Sequence, residues 1–231
     1  MQHKQRFTNV TLVTPYGEED KDLLIDGDKI VDILNPNENI SDDWKIIDGQ
    51  NNFIFPGMID VLQHGFLNYL YGHAEENCTV DNSKILPSVG VTGFLPSTPC
   101  LPPEKTKTLL NALSNDIDKA KEGARVLGIH SEGPCFALPG AHDPKNLRNP
   151  SVPLAEELLD ACQGKLKALT LAPEMNGSEE FIKRLKKEKI SIHLGHSGAN
   201  PIDVPKFADW GVDAVTHMSV SYTHLRAHET V

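Results

Sequence analysis

The residues best equipped for chemistry stand in His130-Ser131-Glu132-Gly133-Pro134 and, one short loop later, in Gly140-Ala141-His142-Asp143-Pro144. Glu132 follows the apolar run Val126-Leu127-Gly128-Ile129, so it reads as the end of a buried strand. A carboxylate carried there needs a strong partner. Two histidines downstream can supply one: His196 in Gly195-His196-Ser197 and His217 in Val215-Thr216-His217. One carboxylate and two imidazoles make a set suited to Zn2+, with Fe2+ or Mn2+ also accepted. Hydrolytic sites of that kind keep one position open for water. On residue types alone, each histidine could equally be a hydrogen-bonded strand end, and Glu132 a helix cap or an ion-pair partner. His130, two residues before Glu132, shares its strand face and could orient a ligand from behind. His193, three before His196, should face away from the site if that strand stays regular.

Such a set has to be delivered by the ends of parallel strands. From Pro56-Gly57 onward, short apolar runs alternate with longer amphipathic stretches. The strand candidates are Met58–Leu62, Val91–Leu95, Val126–Ile129, Ala168–Ala172, Ile190–Leu194 and Ala214–Val215. Helix-like segments lie between them at Glu104–Asn115, Leu154–Cys162 and Ser178–Glu188. The charge run Lys183, Arg184, Lys186 and Lys187 reads as a solvated face of the last of these. Crossovers this long imply parallel βα units, of which about six are present. A closed (β/α)8 barrel needs eight units and roughly 250 residues. The expected fold is therefore α/β, an incomplete (β/α)8 TIM-type barrel over residues 56–218. Residues 1–55 read differently, as short strands at Phe7–Val13, Asp22–Ile25, Lys29–Leu34 and Lys45–Gly49 broken by Asp/Gly and Asn-Pro turns. That pattern predicts a small antiparallel sheet unit.

The 231-residue chain is 39% hydrophobic with mean hydropathy −0.32, and no apolar run approaches a membrane span. Net charge −10 argues against nucleic acid or an anionic membrane as the main partner, while a small anionic substrate stays open. The N-terminus lacks the apolar stretch of a signal peptide, and Cys78, Cys100, Cys135 and Cys162 are unpatterned in spacing. Both features predict a cytoplasmic protein with reduced thiols. The tail 219–231, Ser-Val-Ser-Tyr-Thr-His-Leu-Arg-Ala-His-Glu-Thr-Val, continues no apolar period and matches the translation of a widely used transposon-end sequencing adapter. Everything after Met218 is read as artefact, which removes His224 and His228 from the ligand candidates.

The chain resembles the N-acetylglucosamine-6-phosphate deacetylase family of the amidohydrolase superfamily. The resemblance rests on Pro56-Gly57-Met58-Ile59-Asp60, Gly93-Phe94-Leu95-Pro96-Ser97-Thr98, Leu127–Pro134, Gly140-Ala141-His142, Thr170-Leu171-Ala172-Pro173-Glu174, Leu194-Gly195-His196-Ser197 and Val215-Thr216-His217-Met218. These stand in family order at family-like separations over residues 7–218. The resemblance implies one divalent metal, foremost Zn2+, held by Glu132, His196 and His217. It implies substrate contact at Ala141 and His142 and hydrolysis of the acetamide of N-acetylglucosamine 6-phosphate. It also implies a proton-transferring aspartate on the eighth barrel strand, which no residue here matches, so the fragment is expected to be inactive. Residues 1–55 look like the first half of the family's small β-sandwich, and the full-length protein is expected to be a homodimer.

One departure bears on the metal. Many amidohydrolases carry His-x-His after the first barrel strand, where this chain reads Leu62-Gln63-His64. Leucine cannot bind a metal, so one ion is expected, with His64 at the pocket but not firmly ligating. The stretch Phe66–Tyr71 also departs from the Gly-rich loop common there. Two other readings remain: an amidohydrolase acting on a different amide, and a non-catalytic relative.

Overall fold

The computed structural model describes residues 4–41, 43–73 and 77–218. The tail with His224 and His228 lies outside the described residues. The chain divides into two compact units, one up to Gly57 and one from Met58 on.

The first unit is a five-stranded sheet built on β1 (Lys4–Thr14). Antiparallel to β1 run β2 (Gly17–Asp20) and β3 (Asp22–Asp26), and β4 (Lys29–Leu34) pairs with β3 through a two-residue turn at Gly27-Asp28. The sheet is not purely antiparallel, as the sequence had suggested. β5 (Lys45–Ile54) runs parallel to β1. The connection from β1 to β5 runs by way of β2, β3 and β4, long enough for the crossover that a parallel pairing requires. Nor does β5 stop at Gly49. Gln50 and Asn51 take left-handed φ values of 54° and 59°, and the register against β1 shifts between Thr8 and Val10. Residues that signal a turn thus form an irregularity within a longer strand. Val10, Leu12 and Leu23 form the core of this unit, beside a buried Arg6–Asp22 ion pair with Nε–Oδ2 at 2.7 Å.

The second unit begins with β6 (Met58–Gln63) and a short ribbon, β7 (Gly65–Phe66) and β8 (Tyr69–Leu70). After α1 (Cys78–Ile85) come β9 (Val91–Thr98) and α2 (Pro103–Lys119). The third barrel strand is split into β10 (Arg125–Val126) and β11 (Ile129–Glu132), because Gly128, at φ 145°, interrupts the pairing. Then follow α3 (Val152–Ala161), β12 (Leu166–Leu171), α4 (Ser178–Lys187), β13 (Ser191–Leu194), α5 (Val204–Trp210) and β14 (Val212–Val215).

All barrel-type strands are parallel, in the order β6, β9, β10/β11, β12, β13, β14, so spatial order follows chain order without a reversal. Each helix from α1 to α4 packs on the next one. Strand order that never reverses, with the helices in one sequential layer, is the winding of a barrel rather than of a doubly wound sheet. The six strand positions make it a partial TIM-type barrel.

The helices follow from their apolar stripes. In α4, Phe181, Ile182 and Leu185 are buried, Glu179 and Glu180 sit in the first turn and Arg184, Lys186 and Lys187 in the last, matching the helix dipole. Its basic run is solvent-facing but paired: Arg184 reaches Glu156 and Glu188, and Lys186 reaches Asp213. In α3 the Ser151 side chain accepts from the Leu154 N–H, capping the first turn. The core between sheet and helices holds Phe94, Leu110, Ile129, Leu158, Leu169, Phe181 and Ile192.

Candidate metal centre

Glu132 is the last residue of β11, and its side chain is only 2% exposed. Four imidazoles converge on it, two per oxygen. His217 Nε2 and His196 Nε2 lie 2.6 and 3.3 Å from Oε1. His64 Nε2 and His142 Nε2 lie 3.2 and 3.5 Å from Oε2. Burial by itself would push this carboxyl up, but the imidazoles gathered around it, His142 foremost, outweigh it and hold the group well below the usual carboxylate range. In the other direction, the hydrogen bond to Glu132 is the largest influence raising the pKa of His64.

The two downstream histidines stand just beyond their strands. β13 ends at Leu194 and β14 at Val215, and both His196 (φ 51°) and His217 (φ 58°) adopt left-handed backbone. Such conformations cost of order 1–2 kcal/mol for a residue with a Cβ and are held by their surroundings. At His196 several contacts hold it. Its carbonyl accepts from the Ala137 and Leu138 N–H groups at 3.1 and 2.8 Å. Glu174 accepts from Ser197 Oγ at 2.8 Å and from the Gly198 N–H at 2.6 Å. The ring stacks on Phe136 with centroids 4.2 Å apart, and Gly140 packs against its other edge. Because the strand ends before His196, the alternation that was expected to turn His193 away does not apply. His193 aligns in register with Thr170, and Thr170 with Glu132, so it shares their face. It packs edge-on against His130 at 4.9 Å rather than reaching the carboxylate.

Hydrogen-bond partners fix the tautomers. His196 Nδ1 faces the Leu138 carbonyl at 3.2 Å and must carry a proton there, which leaves Nε2 with a lone pair toward Glu132. His142 is the reverse: the Cys100 N–H donates to its Nδ1 at 3.3 Å, so Nε2 carries the proton and points at the carboxylate. A lone pair on His196 Nε2 opposite a carboxylate oxygen needs a shared proton or a cation between them. Ligand atoms ~2.0–2.1 Å from a tetrahedral zinc stand about 3.3 Å apart, which is the His196–Glu132 separation. The ligating atoms of Glu132, His196 and His217 all lie within 4.8 Å of one another, so the residues fit a divalent ion. The shorter His217 contact is a hydrogen bond that must open by several tenths of an ångström to admit one.

The cluster forms the floor of an open pocket of ≈ 440 Å³, lined also by His64, Leu70, Pro99, Ala141 and His142. Volumes of that order accept small molecules. His130 lies behind, fully buried, with Nδ1 2.6 Å from the Val61 carbonyl and Nε2 2.8 Å from Thr170 Oγ1. Burial pushes its pKa down to about 4, so the ring is neutral. Burial likewise pushes the Cys100 and Cys135 thiols up to about 12, which leaves them protonated beside the site.

Partial-barrel winding with a carboxylate–imidazole cluster at the strand ends defines the class, an amidohydrolase-type barrel present here in part. Within that class, the relatives that this chain matches are amino-sugar-6-phosphate deacetylases, N-acetylglucosamine-6-phosphate deacetylases among them. The human N-acetylglucosamine-6-phosphate deacetylase is 30% identical over 227 residues, 92% of this chain and 54% of that protein. The N-acetylgalactosamine-6-phosphate deacetylase of Escherichia coli O157:H7 is 31% identical over 142 residues, 61% of this chain and 38% of that protein. The crystal structure of N-acetylglucosamine-6-phosphate deacetylase from Pasteurella multocida superposes with a TM-score of 0.80 at 26% identity, covering 92% of this chain and 56% of that one. No family model matches the chain. The chain spans about half the length, or less, of the curated relatives it matches.

Sequence reasoning missed Glu174 and Thr170 as supports of the site. Both were legible only as the two ends of the segment Thr170-Leu171-Ala172-Pro173-Glu174, with Thr170 also one more residue of an apolar strand.

Proposed function

We propose that this chain is the metal-holding part of a cytoplasmic deacetylase that hydrolyses the acetamide of N-acetylglucosamine 6-phosphate to glucosamine 6-phosphate and acetate. The observation that carries the reading is the convergence of Glu132, His196 and His217 at the floor of an open pocket. These three residues would hold one divalent ion, foremost Zn2+. Such an ion supplies Lewis-acid polarisation of the amide carbonyl and lowers the pKa of a water. The chain's own residues then bind and orient. His142, with its proton on Nε2, donates to an oxygen of the sugar, and Ala141 lines the wall beside it. His64 contributes to the pocket opposite. The Asp that would pass a proton to the leaving amine is sought in the whole protein rather than among residues 4–218, so the chain by itself is inactive in this reading. The whole protein is proposed to act as a homodimer.

A titration of the metal-stripped chain with Zn2+ alone tests the core of this. One ion per chain is expected, with Glu132→Gln losing at least about 100-fold in affinity, since a ligand and its charge are both removed. A chain that takes up no Zn2+, Fe2+ or Mn2+ would refute the metal reading and favour a non-catalytic relative. The E. coli relative's name motivates a second substrate reading, the 4-epimer N-acetylgalactosamine 6-phosphate. Acetate release by the whole protein from the two epimers decides between them, and release from neither would point to a different amide.

A further inference from the structure

One residue touches the segments carrying all three proposed ligands. Thr170, in β12, is completely buried and is no ligand itself. Its carbonyl accepts from the Gly133 N–H at 3.0 Å, directly after Glu132. Its methyl occupies the space beside Gly195, where an added Cβ would come within 2.5 Å of Thr170 Cγ2, directly before His196. Its hydroxyl lies 3.0 Å from Thr216 Oγ1, directly before His217. On its other side the same hydroxyl lies 2.8 Å from His130 Nε2.

The directions of these hydrogen bonds have a single solution for the neutral ring. The Val61 carbonyl can only accept, so His130 carries its proton on Nδ1 and presents a lone pair at Nε2. Thr170 must then donate to His130, which uses its one hydroxyl proton. Thr216 must therefore donate to Thr170. A one-way chain runs from Thr216 in the turn after β14, through β12 and β11, to the backbone of β6.

We propose that Thr170 is the positioning residue of the site: its hydroxyl, methyl and carbonyl set the spacing of the three strand ends that present Glu132, His196 and His217. This deepens the metal reading above and rests on it. The left-handed backbone at both histidines is the strain such a hub has to hold.

The test is Zn2+ affinity of the chain, measured by competition with a chelating dye, for the wild type, Thr170→Val, Thr170→Ser and Thr216→Val. Valine keeps the shape of threonine and removes the hydroxyl, leaving His130 Nε2 without a donor and Thr216 without an acceptor. Supports behind metal ligands are typically worth 10–100-fold in affinity, so Thr170→Val is expected to weaken binding about 10-fold or more. Thr170→Ser, which keeps the hydroxyl, should recover most of that loss. Thr216→Val should weaken binding similarly, and the double valine variant should be no worse than either alone, because both remove one chain.

A folded Thr170→Val that binds as tightly as the wild type overturns the role, as does equal weakening by serine and valine. If Thr170→Val does not fold, Thr216→Val carries the same expectation and the same power to refute. A lowered melting temperature with unchanged affinity would mean a structural role only, and also overturns the proposal. A wild type that binds no Zn2+ removes the metal reading and the hub with it, whereas tight wild-type binding with an undiminished variant removes the hub alone.

Discussion

At the scale of single residues, the site is organised by which nitrogen of each ring carries a proton. His196 is turned by the Leu138 carbonyl to offer a lone pair, and His142 is turned by the Cys100 N–H to offer a proton. Two histidines on one carboxylate therefore serve opposite purposes, and residue type alone does not distinguish them. What fixes the His196 ring is close packing, with Phe136 on one face and Gly140 at its edge. Gly140 has φ 58°, and a Cβ there would stand 2.8 Å from His196 Cε1. We expect Gly140→Ala to cost about 1–2 kcal/mol from the backbone alone, before any displacement of the ring. The same variant should weaken Zn2+ binding, because the ring must move away from the alanine methyl. Thermal melts and Zn2+ titration of the one variant read the two effects separately. Unchanged affinity would show that the ring relaxes without leaving its ligand geometry.

At the scale of elements, the barrel part was legible because its strands and helices differ in period and in punctuation. Each of the six strand positions and α2, α3 and α4 overlap the runs read from the sequence. Glu132 was recognisable as a strand end because Gly133-Pro134 stops the run, and the three candidate ligands do meet. The misses have physical causes. The helix α1 carries Asn82 and Ser83 buried where an apolar stripe would be expected: Asn82 accepts from the Phe66 N–H and donates to the Tyr69 carbonyl, anchoring the β7–β8 ribbon. Its burial is polar, so periodicity could not reveal it. The Gly49–Asn52 stretch of β5 has turn residues because it contains left-handed backbone, not because the strand ends there. Helices with a clean apolar stripe are a different case. Phe181, on α4, is completely buried, and Phe181→Ala should cost about 3–5 kcal/mol through lost burial and the cavity left behind. Chemical denaturation of the second unit measures it. A loss below about 1 kcal/mol would mean that α4 is not docked on its strands as described.

At the scale of the whole chain, both units leave apolar side chains uncovered on particular strands. In the second unit, several of the uncovered residues sit on the two outermost strands of the sheet. On β6, Met58, Ile59 and Val61 are 51%, 61% and 47% exposed, and on β14 Val215 is 39% exposed. Each of these strands pairs with a single neighbour among the described residues. In the first unit, Ile30, Val31 and Ile33 of β4 and Ile46 and Phe53 of β5 are about half exposed or more. A strand that combines unpaired backbone with exposed apolar side chains is a template for association. We therefore expect the chain on its own to self-associate with rising concentration, which sedimentation velocity would show as a growing weight-average mass. Ile59→Lys, placing a charge on the β6 edge, should shift that curve toward monomer while leaving Zn2+ binding intact, since Ile59 lies outside the pocket lining. Charge at a strand edge opposes pairing with another chain, so the variant separates edge pairing from nonspecific collapse. A wild-type chain that stays monomeric and melts in one sharp transition would show instead that the open sheet is stable with these strands as its margins.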